Sequence, residues 1–152
     1  MGNGNGSRTC TGKNYADNPL VRQCKQIRFL IVHENAPVRK LIKSILRNMG
    51  FTLILEDSST GNFLGTLKKE NVHVLICSGK DSDHENWDWV KTLRTQEHAR
   101  KTGVMILSSV TDKETILGAI QAGVDDYIVM PFSAQAFEER INALFQKRQL
   151  LS

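Results

Sequence analysis

The most restrictive feature of the sequence is a short apolar run over residues 72–77 that ends at Ser78 and Gly79. Five of the six residues in the run VHVLIC are apolar. A run of this length and composition fits a strand covered on both faces, as in the centre of a parallel sheet. Open α/β sheets place their ligand sites at the carboxyl ends of such strands. We therefore expect Ser78 to stand at a functional position.

Four similar runs occur along the chain, and helical patterns separate them. With the run above as β3, the predicted strands are β1 (28–33), β2 (51–55), β4 (103–108) and β5 (127–130). Asn35 near the cap and Pro37 in the first turn predict the start of helix α1, and Gly50 its end. Helical spacing of apolar residues identifies α1 to α5; the inward residues are Val38, Leu41, Ile42, Ile45, Leu46 and Met49 in α1, Phe63, Leu64 and Leu67 in α2, Trp87, Val90 and Leu93 in α3, Thr115, Ile116, Ala119 and Ile120 in α4, and Phe137, Ile141, Leu144 and Phe145 in α5.

This alternation predicts an α/β fold of the (βα)5 flavodoxin-like type. Apolar strands with short connections indicate a parallel sheet that is doubly wound, with helices on both faces. Right-handed crossovers leave few arrangements, of which strand order 2-1-3-4-5 is the most common for this pattern. We expect one domain over residues 27–150, preceded by a flexible tail over residues 1–26 that is rich in Gly and Asn.

Charge, hydropathy and cysteine content indicate the cellular compartment in which the protein works. Residues 1–28 hold five basic residues and one acidic residue, whereas the remaining 124 residues hold 15 of each, so the tail carries the net charge of +4. No apolar run approaches the roughly 18–20 residues of a membrane span. Three cysteines without paired or ligand-like spacing predict neither a zinc site nor a disulfide framework. These features predict a cytoplasmic protein.

Five side chains are expected to converge at the carboxyl ends of the strands: His33, Glu34, Ser78, Ser108 and Met130. At this point the sequence resembles the receiver domain of bacterial response regulators, the CheY-like family, over residues 27–150. Two stretches carry the resemblance: FLIVHEN-x-x-VRKLIKSIL-x-x-x-GF over residues 29–51, and AIQAGVDDYIVMPF over residues 119–132. The spacings between the strand-end residues also match the family without gaps.

The resemblance implies two-component signalling by phosphoryl transfer. In typical members two acids after β1 hold Mg²⁺, an Asp after β3 accepts a phosphoryl group from a histidine kinase, and a Ser or Thr after β4 and a Lys after β5 bind its oxygens. An aromatic residue on β5 changes position on activation. The matching positions here are His33 and Glu34 for the acids, Ser78 for the phosphoacceptor and Met130 for the Lys; Ser108 and Tyr127 are retained, as is Pro131, for which the resemblance implies a cis peptide bond.

These departures argue against the usual reaction. Mg²⁺ requires hard oxygen ligands, which an imidazole at His33 does not supply, so no metal is expected and Glu34 is a weak metal candidate. A serine forms no acyl phosphate, and Ser78 would need a base to act as a nucleophile. We therefore expect no cofactor, no enzymatic activity and a degenerate, or pseudo-receiver, domain. It would act as a phosphorylation-independent protein-interaction module that contacts a signalling partner through the α4-β5-α5 face.

Other interpretations stay open on the sequence. Regulation by phosphorylation of Ser78 from another class of kinase, or by a bound nucleotide, is the main alternative. The basic face of α1, formed by Arg39, Lys40, Lys43 and Arg47, would be suited to nucleotide or nucleic-acid phosphates, although a solvated face is the simpler interpretation. A hydrolase built on Ser78 and His33 lacks the G-x-S-x-G motif. The acidic loop after Gly79 lacks the EF-hand glycine and spacing.

Overall fold

The computed structural model of the chain describes residues 23–58, 63–79 and 87–150. The chain alternates strand and helix throughout, and the elements are β1 (Arg28–Val32), α1 (Ala36–Asn48), β2 (Leu53–Asp57), α2 (Phe63–Glu70), β3 (Val74–Ser78), α3 (Asp88–Thr95), β4 (Gly103–Ser108), α4 (Lys113–Ala122), β5 (Asp126–Val129) and α5 (Ala134–Arg148). The strands form one parallel sheet in the order β2-β1-β3-β4-β5. The predicted flavodoxin-like (βα)5 fold is confirmed.

Two apolar cores, one on each face of the sheet, explain why the central strands are continuous apolar runs. Successive side chains of a strand point to opposite faces. Along β1, Phe29 and Ile31 belong to the core under α1 and α5. Leu30 and Val32 belong to the core under α2, α3 and α4. Because both faces are covered, the central strands are apolar on both faces except at their ends.

The strand boundaries differ from the predictions by one or two residues at several ends. β2 begins at Leu53 rather than at residue 51, because the chain closes α1 first: Gly50 has φ of 106°, and the Phe51 amide donates to the Leu46 carbonyl at 3.0 Å. β2 then continues to Asp57, since it is an edge strand and its polar residues stay partly solvated. β3 begins at Val74 and includes Ser78.

Three residues predicted to face inward are exposed. Leu64 of α2 is 41% exposed. Leu41 of α1 is 49% exposed and Ile120 of α4 is 44% exposed. In α4 the buried positions are Thr115, Ala119 and Ala122. Helical neighbours differ by about 100°, so Ile120, next to buried Ala119, turns towards solvent. Helical spacing does not show how wide the buried side of a helix is. It therefore included apolar residues at the edge of that side, which the sheet does not cover.

Trp87 lies on the core side of α3, as predicted, and is 8% exposed. It packs against α4, where a Cβ added at Gly118 would lie 3.3 Å from the indole Cδ1. The absence of a side chain at Gly118 therefore provides the space for the indole. Among the described residues, the indole Nε1 has no hydrogen-bond partner.

The state of the cysteines differs from the prediction. Cys24 is disulfide-bonded, which contradicts the expectation of a chain without disulfides; a single cross-link needs none of the regular spacings on which that expectation depended. Cys77 is a buried free thiol. Cys24 and Ile27 pack in the core under α1 and α5.

The predicted tail over residues 1–26 lies mostly outside the described residues, as does most of the acidic loop after Gly79. No helix in the described residues is long and apolar enough to cross a membrane.

Candidate functional site

The carboxyl edge of the sheet holds the residues that the sequence singled out. Ser78 is the last residue of β3, and Ser108 is the last residue of β4. His33 follows β1 directly, and Met130 follows β5. The strand register pairs Val32 with Cys77, Ser78 with Leu107, and Ser108 with Val129, so these residues end their strands at the same edge.

His33 is held by hydrogen bonds from the Asn35 backbone and the Arg39 side chain. Its side chain is buried, with 5% of the residue exposed. The ring Nδ1 accepts a hydrogen bond from the Asn35 amide at 3.0 Å, and the His33 carbonyl accepts one from Arg39 Nη1 at 2.5 Å. An imidazole that accepts at Nδ1 is neutral and carries its proton on Nε2. His33 thus supplies no carboxylate at this strand end, and its Nδ1 lone pair is used by the Asn35 amide.

The Ser108 hydroxyl forms hydrogen bonds to backbone groups on either side of the gap between β3 and β4. It donates to the Gly79 carbonyl at 3.2 Å and accepts from the Val110 amide at 3.0 Å. Gly79 itself donates to the Leu107 carbonyl at 2.8 Å, and a Cβ added there would lie 2.8 Å from Ile106 Cγ2. The loop after β3 therefore lies directly against β4, and the hydroxyl is occupied in joining the two strand ends.

Val110 links Ser108 to Tyr127, a connection that the sequence did not reveal. The Tyr127 hydroxyl donates to the Val110 carbonyl at 2.9 Å, and the Val110 amide donates to Ser108. Tyr127 is 7% exposed, so its ring lies inward. The two residues expected to form the switch thus share one backbone residue as a common partner. A valine contributes only its peptide group here, which is why no side-chain motif could identify it.

Met130, which the resemblance assigns to the position of the family's lysine, directly follows β5. Its side chain is half-buried and packs against the core under α1 and α5. The Met130 amide donates to the Ser108 carbonyl at 2.9 Å, and the Met130–Pro131 peptide bond is cis. The thioether therefore adds apolar contact at a point where a receiver with the usual residues would present a cation.

The residues present do not fit Mg²⁺, the metal that the fold family implies. Ligands for Mg²⁺ are carboxylates and other hard oxygens in octahedral arrangement. At the family positions stand a neutral imidazole, the exposed Glu34 and the Ser78 hydroxyl. Within residues 23–58, 63–79 and 87–150, no three His, Cys, Asp or Glu side chains are grouped so that they could hold a metal ion.

The basic face of α1 is partly neutralised by β2. Glu56 accepts from Lys43 Nζ at 2.5 Å and from Arg39 Nε at 3.4 Å. The Lys43 hydrogen bond is the largest cause that holds the pKa of Glu56 below its usual value, in spite of the opposing effect of burial. Two of the four cations proposed for phosphate binding are thus paired within the chain, which favours a structural role for this face.

Comparison with known proteins identifies the family. The family model described as response regulator receiver domain matches residues 29–142. The chain is 28% identical over 123 residues to chemotaxis protein CheY-3 of Vibrio cholerae, covering 81% of this chain and 95% of that protein. It is 29% identical over 121 residues to chemotaxis protein CheY of Pseudomonas aeruginosa, covering 80% of this chain and 98% of that protein.

Solved structures support the same fold. The CheY-like receiver domain protein from Methanospirillum hungatei superposes with a TM-score of 0.70 at 19% identity, covering 81% of this chain and 96% of that one. A receiver domain protein from Clostridium thermocellum gives 0.69 at 21% identity, covering 83% and 99%. The match of the family model over most of the chain shows that this protein belongs to the response regulator receiver domain family of two-component signalling.

Proposed function

We propose that this receiver domain works as a phosphorylation-independent interaction module, a pseudo-receiver. The observation that carries the proposal is the chemistry of the carboxyl edge, where Ser78 ends β3 in place of a carboxylate. Phosphoryl transfer depends on metal ions and cations that neutralise the developing negative charge. The neutral His33 and the apolar Met130 supply neither. No cofactor and no enzymatic activity are part of this proposal.

The hydroxyl that would bind a phosphoryl oxygen is already used. Ser108 donates to Gly79 and accepts from Val110, and Val110 in turn accepts from Tyr127. A phosphoryl group at Ser78 would have to break the Ser108–Gly79 bond before it could shift the Tyr127 side of the chain. We therefore propose that the switch is fixed with Tyr127 inward and that partner binding, rather than phosphorylation, uses this conformation.

The proposed contact surface is the α4-β5-α5 face, where large apolar side chains are exposed. Leu117 and Ile120 of α4 and Val129 of β5 are 48%, 44% and 38% exposed. Exposed apolar residues on one face of a soluble domain support a role in protein contacts. We also propose that the protein works in the cytoplasm.

The first experiment asks whether the site responds to a phosphoryl analogue. We expect the amide spectrum of the wild-type chain to be unchanged by Mg²⁺ and beryllofluoride. A triple variant that restores the family residues, His33→Asp with Ser78→Asp and Met130→Lys, should show shifts at the ends of β1, β3 and β4. The variant is the positive control, because it shows that the scaffold can still bind the analogue.

Shifts in the wild-type spectrum clustered at Glu34, Ser78 and Ser108 would contradict the proposal and restore a phosphorylatable receiver. Exchange of the Tyr127 ring between two rotamers in solution would contradict the fixed switch. Either result is independent of the other, so the chemical and conformational parts of the proposal can fail separately.

The second experiment tests whether the α4-β5-α5 face is the contact surface. Ile120→Asp places a charge on the exposed side of α4, and Leu41→Asp places the same charge on the exposed side of α1. We expect the first to reduce capture of cellular partners by about tenfold or more, as for a residue central to an interface, and the second to leave it unchanged. Equal effects of the two substitutions would remove α4-β5-α5 as the contact surface.

A further inference from the structure

A cleft opens at the opposite, amino edge of the sheet. It has a volume of about 460 Å³ and lies between the residues that precede β3 and β4 and the C-terminal end of α5. Small-molecule sites in proteins have volumes of roughly 300–1,000 Å³. The size is therefore that of a site for a small organic ligand. The residues that define its chemistry are His73, His98, Lys101, Lys147 and Arg148.

The lining of the cleft is strongly cationic. Three Lys or Arg residues and two histidines line it, and among the described residues no Asp or Glu does. Beyond residue 28 the chain has equal numbers of basic and acidic residues, so this concentration is not a consequence of general composition. A concave surface lined by one sign of charge focuses the field and attracts ligands of opposite charge.

A single buried carboxylate behind the cleft leaves the positive charge in excess. The Asp125 side chain is 1% exposed, and its Oδ1 is 2.8 Å from Arg148 and 3.2 Å from Lys147. Its Oδ2 accepts from Arg94 at 2.9 Å and from the Val104 amide at 2.8 Å. Three cations thus share one carboxylate. Helix C-terminal cations also complement the helix dipole, but this local effect does not account for Lys101, which lies on another segment.

Two further groups are available to a ligand. Lys101 is exposed, and within the described part of the chain its ammonium group forms no ion pair or hydrogen bond. His73 Nδ1 accepts from the Arg28 amide at 2.9 Å, so the neutral ring carries its proton on Nε2 and can donate there. Burial and, second, the nearby Arg28 hold the pKa of His73 below its usual value, which favours the neutral ring.

We propose that the cleft at the amino edge binds a phosphate-bearing small molecule of up to mononucleotide size. Lys101 and Lys147 would pair with phosphate oxygens, and Arg148 would contribute from the Asp125 side. This binding site lies at the other end of the strands from Ser78, so it does not depend on the proposed loss of phosphotransfer. It would give the domain a ligand input separate from the family's reaction.

The test is titration of the full chain with pyrophosphate, ADP and adenosine, followed by amide NMR. We expect ADP to shift the backbone amides of His73, Lys101 and Gln149 and adenosine to have no effect. Lys101→Gln should weaken ADP binding by about tenfold, the loss expected for one charge-assisted hydrogen bond. Lys40→Gln, which removes an exposed lysine from the basic face of α1, is the matched control and should leave the affinity unchanged.

The outcomes separate the sources of binding. Pyrophosphate binding as tight as that of ADP would support the site and assign recognition to the phosphate groups; tighter ADP binding would support it and add a contact to the nucleoside. The proposal is overturned if adenosine binds as well as ADP, if the amides that line the cleft do not shift, or if Lys40→Gln weakens binding as much as Lys101→Gln. Both substitutions are at exposed side chains, where folding is little affected.

Discussion

The two edges of the sheet use polar residues in opposite ways. At the carboxyl edge, the positions that the resemblance assigns to charged family residues hold His33, Ser78 and Met130, and the Ser108 hydroxyl bonds to the backbone of Gly79 and Val110. At the amino edge three cations converge on one buried carboxylate, Asp125. The ends of β3 and β4 are thus joined by hydrogen bonds between neutral groups, whereas the amino edge depends on a buried cluster of ion pairs. The two arrangements can be tested separately.

The largest effect is expected at Asp125. Asp125→Ala removes the only carboxylate that the three cations share within the described residues, and it leaves the buried Val104 amide without its acceptor. Breaking one partner of a buried ion pair costs about 3–5 kcal/mol of the free energy of unfolding. Urea denaturation measures this. The control is Asp126→Ala, whose ion pair with Arg140 is half-exposed and should cost about 1 kcal/mol or less. Similar losses in both variants would contradict a special contribution of the buried carboxylate at the amino edge.

The same residue should make the fold sensitive to acid. Burial by itself raises the pKa of Asp125, but the hydrogen bonds from Arg148 and Val104 and the charges of Arg148 and Arg94 outweigh it and leave the pKa below the ordinary 3.8. A folded-state pKa below the unfolded value stabilises the protein above the unfolded pKa, and this stabilisation is lost as the pH falls through the folded pKa. Stability should therefore decrease as the pH is lowered below about 4, and Asp125→Ala should flatten the decrease. An unchanged acid slope in the variant would assign the sensitivity to other groups, such as Glu56.

A smaller effect is expected at the carboxyl edge. Ser108→Ala removes the hydroxyl that joins Gly79 to Val110 and leaves a backbone carbonyl and amide without their partner, at a cost of about 1–3 kcal/mol. The neighbouring Ser109 is exposed, so Ser109→Ala should change stability by less than about 0.5 kcal/mol. A loss at Ser108 no greater than at Ser109 would show that these two hydrogen bonds contribute little to holding the strand ends together.

Much of the fold could be predicted from the sequence, because both of its main signals are local. Apolar runs indicated the strands, and the caps Asn35 and Gly50 located α1. The errors have a common cause. Leu41 and Ile120 are apolar and correctly spaced, yet exposed, because burial depends on what the sheet and the neighbouring helices cover and not on the helix itself.

The carboxyl edge could be located from the sequence, but its hydrogen bonding could not. The strand ends follow from topology, whereas the roles of Gly79 and Val110 reside in peptide groups that every residue has. The amino edge was missed altogether, because its members are distant in sequence: Arg94, Asp125 and Arg148 meet only when α3, β5 and α5 are packed.

The contact between Trp87 and Gly118 gives the molecule a built-in optical reporter. The chain has two tryptophans, both near the start of α3, and Trp87 is nearly buried with its ring against α4. Indole emission depends on the polarity around the ring, so movement of α4 away from α3 would admit water to the ring and shift the emission to longer wavelengths. A partner that engages the outer side of α4 would thus be visible by fluorescence without any label, from a residue that it does not touch.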